Sequence, residues 1–217
     1  MVVTSNSYSQ LNQSDKDALI FAIQEEKVAN NFYVAMDKIY GLNVFENISR
    51  SEITHMNHIK SLIEKYGVDN PVTGSYEAAG SFVDAGLEKI YEDLVRAGSV
   101  SVTEALRESA TFEEIDIRDL TGLAAATNNS DIKSTFNLLI NGSENHLRAF
   151  VRNLESRGID YKPQYLSKDE FDKIVSSSNS GNGNRGNCNK GNRGNCNGSN
   201  GNRSNGNRGN GNCYFTK

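Results

Sequence analysis

The chain has 217 residues, 36% of them hydrophobic, and a formal net charge of −4; that is enough for one domain of ordinary size with a real core, plus appendages. No run approaches ~18 apolar residues, and the first residues carry neither a charged n-region nor an apolar h-region, so neither a membrane span nor a signal peptide is expected and a cytoplasmic location is the default. Charge is uneven: from Asn179 onward there are six basic residues and no acid, which leaves 17 basic against 27 acidic residues before it, a balance of −10.

After an N-terminal arm (residues 1–13), Ser14-Asp15-Lys16-Asp17 reads as a capping-box-like helix start with acids in the first turn. The stripe Leu19, Ile23, Glu26, Asn30, Tyr33, with Ala22, Ala29 and Met36 alongside, predicts a first long helix closing at Gly41. Glu26 falls among its core positions, and Glu25, about 100° away on the helical wheel, is expected to be the more exposed. The second long helix, ending at Gly67, carries Glu52-x-x-His55 on the side of Phe45, Ile48, Ile59, Leu62 and Tyr66. Residues three apart share a helix face, so this carboxylate and imidazole can point at one spot, and that spot is interior.

A long connection, GVDNPVTGSYEAAGSF, then precedes the short amphipathic helix DAGLEKIYEDLVRAG. A link of this length can cross the end or flank of a bundle, leaving the second and third long helices parallel. The third long helix is expected over about Ser101–Ala126, with Glu113 in the stripe Leu106, Ala110, Ile117, Leu120, Ala124 and with Glu114 and Asp116 beside it. The fourth follows Asn128-Asn129-Ser130, places Ser143 and His146 on its stripe and stops at Gly158. Ser167-Lys168-Asp169-Glu170 starts a last short helix, with Phe171 and Ile174 available to cover one end of the bundle.

Sequence complexity then collapses. Residues 177–217 are nearly all Asn, Gly, Ser and Arg, a composition that cannot bury enough apolar surface to offset its ordering entropy, so a disordered tail is expected. All three cysteines, Cys188, Cys196 and Cys213, lie there in no usual zinc spacing. Free thiols, one bridge with a leftover, or links between chains all fit. Six spaced bases allow at most weak, salt-dependent contact with nucleic acid.

Glu on the first helix, Glu-x-x-His on the second, Glu on the third and His on the fourth resemble the ferritin-like di-iron carboxylate bundles, with rubrerythrin-type helices. The phrases EEKVANNFY, FENISRSEITHMNHIKSLIEKYG, FEEIDIRDL and SENHLRAFVRNLESRGIDYKPQYLS are more similar still to an uncharacterised ferritin-like family, domain of unknown function 2202, over about residues 14 to 175. The resemblance implies an all-α fold: a ferritin-like four-helix bundle over residues 14–176, with a long crossover carrying a short helix. It also implies metal ligands at Glu26, Glu52, His55, Glu113 and His146, with Glu114 as the alternative on the third helix.

One position departs from that pattern. The second Glu-x-x-His is here Ser143-Glu144-Asn145-His146, so a carboxylate is missing from a site that would hold four positive charges. Asp116 or Glu114 substitutes, or an exogenous ligand does, or one metal alone binds well. Oxygen-rich ligation with two imidazoles suits iron, two ions or one, with manganese as the alternative. The implied partners are metal ions with oxygen or peroxide, an external electron donor and a possible homo-oligomer. Tyr33 is then a hydrogen-bond donor or a redox-active phenol near the site, or plain core; His58 lies at the surface or beside the site. Three functions fit the residues: oxidation of ferrous iron or reduction of oxygen or peroxide, iron binding or storage without turnover, and a metal-free scaffold acting through its basic tail.

Overall fold

The computed structural model describes residues 10–177. The expectations for the tail, its three cysteines included, lie outside the described residues. Among the described residues there are six α-helices, α1 (Gln13–Tyr40), α2 (Asn43–Tyr66), α3 (Ala85–Gly98), α4 (Val102–Ala126), α5 (Ser130–Glu155) and α6 (Lys168–Ser176), with a 3₁₀ turn at Gly74–Glu77. Among the described residues there is no strand, and no helix is long and apolar enough to cross a membrane.

The helix ends follow local chemistry. Asn12, two residues ahead of the expected start, caps α1: its side chain accepts from the Asp15 N–H at 2.8 Å. Gly41 ends α1 in the left-handed region (φ 60°), donating to the Asp37 carbonyl, a conformation in which a side chain is strained. Ser101 caps α4, Asn129 caps α5, and Ser167 with Glu170 forms a full capping box on α6.

Short links make α1 and α2 one hairpin and α4 and α5 another. Lys65 and Tyr66, at the end of α2, both meet the Asp131 carboxylate at the start of α5, at 2.5 and 2.7 Å, so these two helices run antiparallel. It follows that α2 and α4 are parallel, as the long connection between them allows. Packing of α1 on α4 closes the four-helix ring, and α3 lies across α1 and α4.

The crossover is fixed to α1 by Lys27. Its ammonium donates to the carbonyls of Ala78 (2.9 Å) and Ser81 (3.0 Å) and sits 4.1 Å above the Phe82 ring. At the far end of α3, a Cβ on Gly98 would come within 2.7 Å of Met36 Sδ. The absence of a side chain there is what lets α3 approach α1.

The bundle interior is two apolar layers. One contains Phe32, Tyr33, Met36, Phe45, Leu106, Phe150 and Leu154; the other contains Leu19, Ile23, Ile59, Ile63, Leu120, Phe136 and Leu139. On each long helix the residues that fall between the layers are polar and buried: Glu26 on α1, Ser49, Glu52 and His55 on α2, Glu113 and Asp116 on α4, Ser143 and His146 on α5. A polar band sealed between dry layers loses its contact with water, so each group must find a partner inside or carry the desolvation cost.

Glu25 departs from expectation. It is 3% exposed, because α1 is packed by α2, α3 and α4 and has no broad solvent face on that turn.

Candidate metal centre

Glu52 stands in the middle of the band with one oxygen toward each histidine. Its Oε2 lies 2.9 Å from His55 Nδ1, and its Oε1 lies 2.9 Å from His146 Nδ1. Glu26 Oε2 is 3.1 Å from the same His55 nitrogen, and Glu113 Oε2 is 3.5 Å from the same His146 nitrogen. Two half-sites result, one from α1 and α2 and one from α4 and α5, with Glu52 shared between them. The two imidazoles stack at 5.2 Å between centroids. One ligand atom from each of Glu52, His55 and His146 fits within 4.8 Å of the others, a grouping able to hold a metal ion.

The contacts are close but incompletely satisfied. His146 Nδ1 and Glu52 Oε1 are near each other without hydrogen-bonding alignment, and neither has another hydrogen-bond partner. Glu26 Oε1 and Asp116 Oδ1 are also buried without one. Orphaned buried acceptors are uncommon in folded proteins and call for an explanation.

The surroundings orient the ring nitrogens. His146 Nε2 is 2.8 Å from Ser51 Oγ, which leaves Nδ1 facing the carboxylates. His55 is set from the opposite side: a Cβ on Gly142 of α5 would fall 2.3 Å from its Nε2, so only glycine there admits the ring. Tyr33 donates from its phenol to Glu113 Oε1 at 2.5 Å. Ser143, where a second Glu-x-x-His would place its acid, donates to Asp116 Oδ2 at 2.5 Å. Serine thus secures an acid from α4 where α5 lacks one.

Without a metal, these groups share protons unevenly. Burial alone would lower the His55 pKa, but Glu26 and Glu52 outweigh it and raise it to about 10. Burial also opposes ionisation of Glu52, yet His146 and His55 outweigh it and hold the carboxyl down at about 2. Glu26 goes the other way, raised to about 8 by burial and the neighbouring Glu52 charge against the pull of His55. Asp116 is pushed well up by burial and then by Glu26 and Glu113. Desolvation and like charge therefore act on the same acids, a pattern concentrated at functional sites.

Of the six residues expected as ligands, Glu26, Glu52, His55, Glu113 and His146 are brought together. Glu114 is not. It is fully buried on another face of α4, where Oε2 accepts from the backbone N–H groups of Gln164, Tyr165 and Leu166 and Oε1 accepts from the Tyr161 hydroxyl. One residue along a helix is a rotation of about 100°, enough to turn this acid out of the band. His58 is exposed and takes no part. Ser51 and Gly142 carry no signal in the sequence, because their roles depend on a ring reaching across from a neighbouring helix.

The fold and this cluster define an all-helical protein with a buried carboxylate and imidazole group suited to a metal. Residues 15–178 match the family described as an uncharacterised protein domain, DUF2202, and the chain belongs to that family. A relative, the uncharacterised protein MJ0754 of Methanocaldococcus jannaschii, is 40% identical over 176 residues, covering 81% of this chain and 94% of its own length. The crystal structure of that hypothetical protein is similar to this one with a TM-score of 0.77, covering 81% of this chain and 99% of the other.

Proposed function

We propose that this chain binds two divalent first-row metal ions, iron with manganese as the alternative, and that it works as a ferritin-like redox protein acting on ferrous iron with oxygen or peroxide. The observation that carries the reading is Glu52 shared between His55 and His146, with close but unaligned contacts and buried acceptors left without partners. His55 has a hydrogen-bond partner in Glu26, whereas the close, unaligned approach of Glu52 Oε1 and His146 Nδ1 supports a shared ion between them.

Charge supports the same reading. Glu26, Glu52, Glu113 and Asp116 supply four negative charges when ionised, and two divalent ions supply four positive ones. Glu26 and Glu52 with His55 would hold one ion, and Glu113 and Glu52 with His146 the other. Asp116, which accepts from Ser143, would stand in for the missing acid of the second Glu-x-x-His. An oxygen-rich set with two imidazoles favours iron or manganese over copper or zinc. Ferrous ions held there would supply electrons to oxygen or peroxide. The chain's own residues bind and orient: Tyr33 holds Glu113, Ser51 orients the His146 ring, and the apolar layers exclude water.

The test is an anaerobic ferrous titration of the full chain. Two irons bound per chain, followed by near-ultraviolet charge-transfer absorption on exposure to oxygen, is the expected result. Joint replacement Glu52→Gln and His55→Ala abolishes that absorption while helical circular dichroism persists. Full stoichiometry in the double variant would place the site elsewhere, and no uptake by the unaltered chain would leave a helical scaffold.

A further inference from the structure

Away from the centre, the short helix α6 leaves part of the bundle uncovered. It packs on α5 and buries Phe171 and Ile174, and between it, α4 and residues 165–166 a cleft of about 310 Å³ remains. The apolar lining is aliphatic: Ile117 from α4, Ile140 from α5, Leu166 from the segment that returns after α5, and Ile174 from α6. Two buried charged side chains fix the walls from within. Glu114 accepts from the N–H groups of Gln164, Tyr165 and Leu166, and Arg148 donates to the Ile174 carbonyl at 2.9 Å. The cleft is therefore formed before any ligand arrives, as small-molecule sites largely are.

Four charged residues also line the cleft, Arg118, Glu144, Glu170 and Lys173, and the acids are the committed ones. Glu170 accepts from the Ser167 N–H at 3.0 Å and from its hydroxyl at 2.6 Å, closing the capping box of α6. Glu144 lies 3.8 Å from the guanidinium of the buried Arg148. The bases are less engaged. Lys173 makes no hydrogen bond or ion pair among the described residues. Arg118 meets Asp119 through Nε alone, at 2.8 Å, an ion pair in contact with water and therefore weak, and its guanidinium rests 5.2 Å from the Tyr165 ring. The charge left over at this aliphatic cleft is thus positive, on a body whose balance before Asn179 is −10.

We propose that this cleft binds a medium-chain aliphatic monocarboxylate, its chain against Ile117, Ile140, Leu166 and Ile174 and its carboxylate held by Lys173 and Arg118. Size sets the chain length. At roughly 30 Å³ per group, the share of a water molecule in the liquid, the cavity holds about ten non-hydrogen atoms, the content of an eight-carbon acid. Burial of the methylenes supplies most of the affinity and the two bases select the charged head. The inference does not depend on the metal-binding reading above, because none of the cleft's residues is among the candidate ligands.

Isothermal titration calorimetry of the full chain with octanoate should show one saturable site. Hexanoate should bind about fifteenfold more weakly, the loss of two buried methylenes, whereas decanoate should gain nothing over octanoate because the cleft is full. Octanol, the same chain without the charge, should bind about tenfold more weakly or worse. Lys173→Gln and Arg118→Gln should each weaken octanoate about tenfold and leave octanol as it was. Thr121→Phe, which fills the cleft from an exposed position on α4, should remove binding, and Lys133→Gln, exposed on α5 outside the cleft, should change nothing. Circular dichroism and thermal midpoints confirm that the variants fold. No saturable heat with octanoate would overturn the site, and so would an affinity that goes on rising through decanoate. Equal binding of octanol and octanoate, or an unchanged octanoate affinity in both charge variants, would overturn the carboxylate. Metal bound per chain should be the same in Thr121→Phe and the unaltered chain, so failure of this site and failure of the metal centre are read separately.

Discussion

At the scale of single residues the cluster depends on positions outside the candidate ligands. Gly142 is the clearest case. Alanine in the middle of a helix is ordinarily stabilising by about 0.5–1 kcal/mol relative to glycine, but here its Cβ would meet His55 Nε2 at 2.3 Å. Gly142→Ala is therefore expected to give no gain in thermal midpoint and to weaken metal affinity about 10- to 100-fold, the range seen when a ligand loses its orienting contacts; competition with a coloured chelator measures it. Proton linkage gives a second prediction at this scale. In the metal-free chain His55 is raised from 6.5 to about 10, so the stability it contributes is full below pH 6.5 and is lost as pH rises toward 10. Glu26 is an acid raised from 4.5 to about 8, so the folded state also binds its proton more tightly and loses stability as pH climbs from 4.5 to 8. Glu52, lowered from 4.5 to about 2, acts in the opposite sense and only on the acid side. The thermal midpoint of the metal-free chain should thus fall between pH 6.5 and 9, while metal affinity rises over the same window because the ligands must shed protons. A flat midpoint across that range would contradict the assignment. Glu26, Glu52, His55, Glu113 and His146 were legible because each sits on an apolar stripe where a polar group is conspicuous. Gly142 and Ser51 were not, since nothing along their own helix distinguishes them.

At the scale of elements, the helices could be read closely where their ends are chemically marked. Gly41, Gly67 and Ser167 fall where the sequence puts them, and the sixteen-residue connection after α2 was sufficient to anticipate parallel α2 and α4. Amphipathic reasoning failed on α1 at Glu25, because a helical wheel assumes one wet face and α1 is flanked by α2, α3 and α4. It failed again at Glu114, whose stripe neighbours gave no hint of the strap that returns after α5. There Glu114 ties residues 164–166 to α4 through three backbone N–H groups and Tyr161. Such a carboxylate is structural, and a variant tells it apart from a ligand. Glu114→Ala removes the acceptor of three part-buried backbone donors, each worth about 1–3 kcal/mol when left unpaired, so urea denaturation should show a loss of about 3 kcal/mol. Metal stoichiometry of the protein that remains folded should be unchanged. A loss of metal without loss of stability would return Glu114 to the ligand set.

At the scale of the whole molecule, the acids outnumber the bases by ten before Asn179, and the six bases after it bring the balance back to −4. The two apolar layers, the polar band and the capping helix α6 are all complete by Ser176. Arg148, buried on α5, donates to the Ile174 carbonyl and to Ser177 Oγ, securing the end of α6 from within the bundle. Every residue described as building the centre lies before that point. A chain ending at residue 177 is therefore expected to match the full chain in helical circular dichroism and in metal bound per chain, measured by elemental analysis after purification without chelators. The two should differ in behaviour toward polyanions. A body at −10 repels nucleic acid, so whatever affinity the full chain shows for single-stranded RNA must come from the six bases, with a slope of log K against log salt no steeper than about −4. Filter binding between 50 and 200 mM salt reads that slope directly. Retention of RNA by the shortened chain, or a slope steeper than six phosphate contacts permit, would show a basic surface on the bundle itself and would undo this division of charge between body and tail.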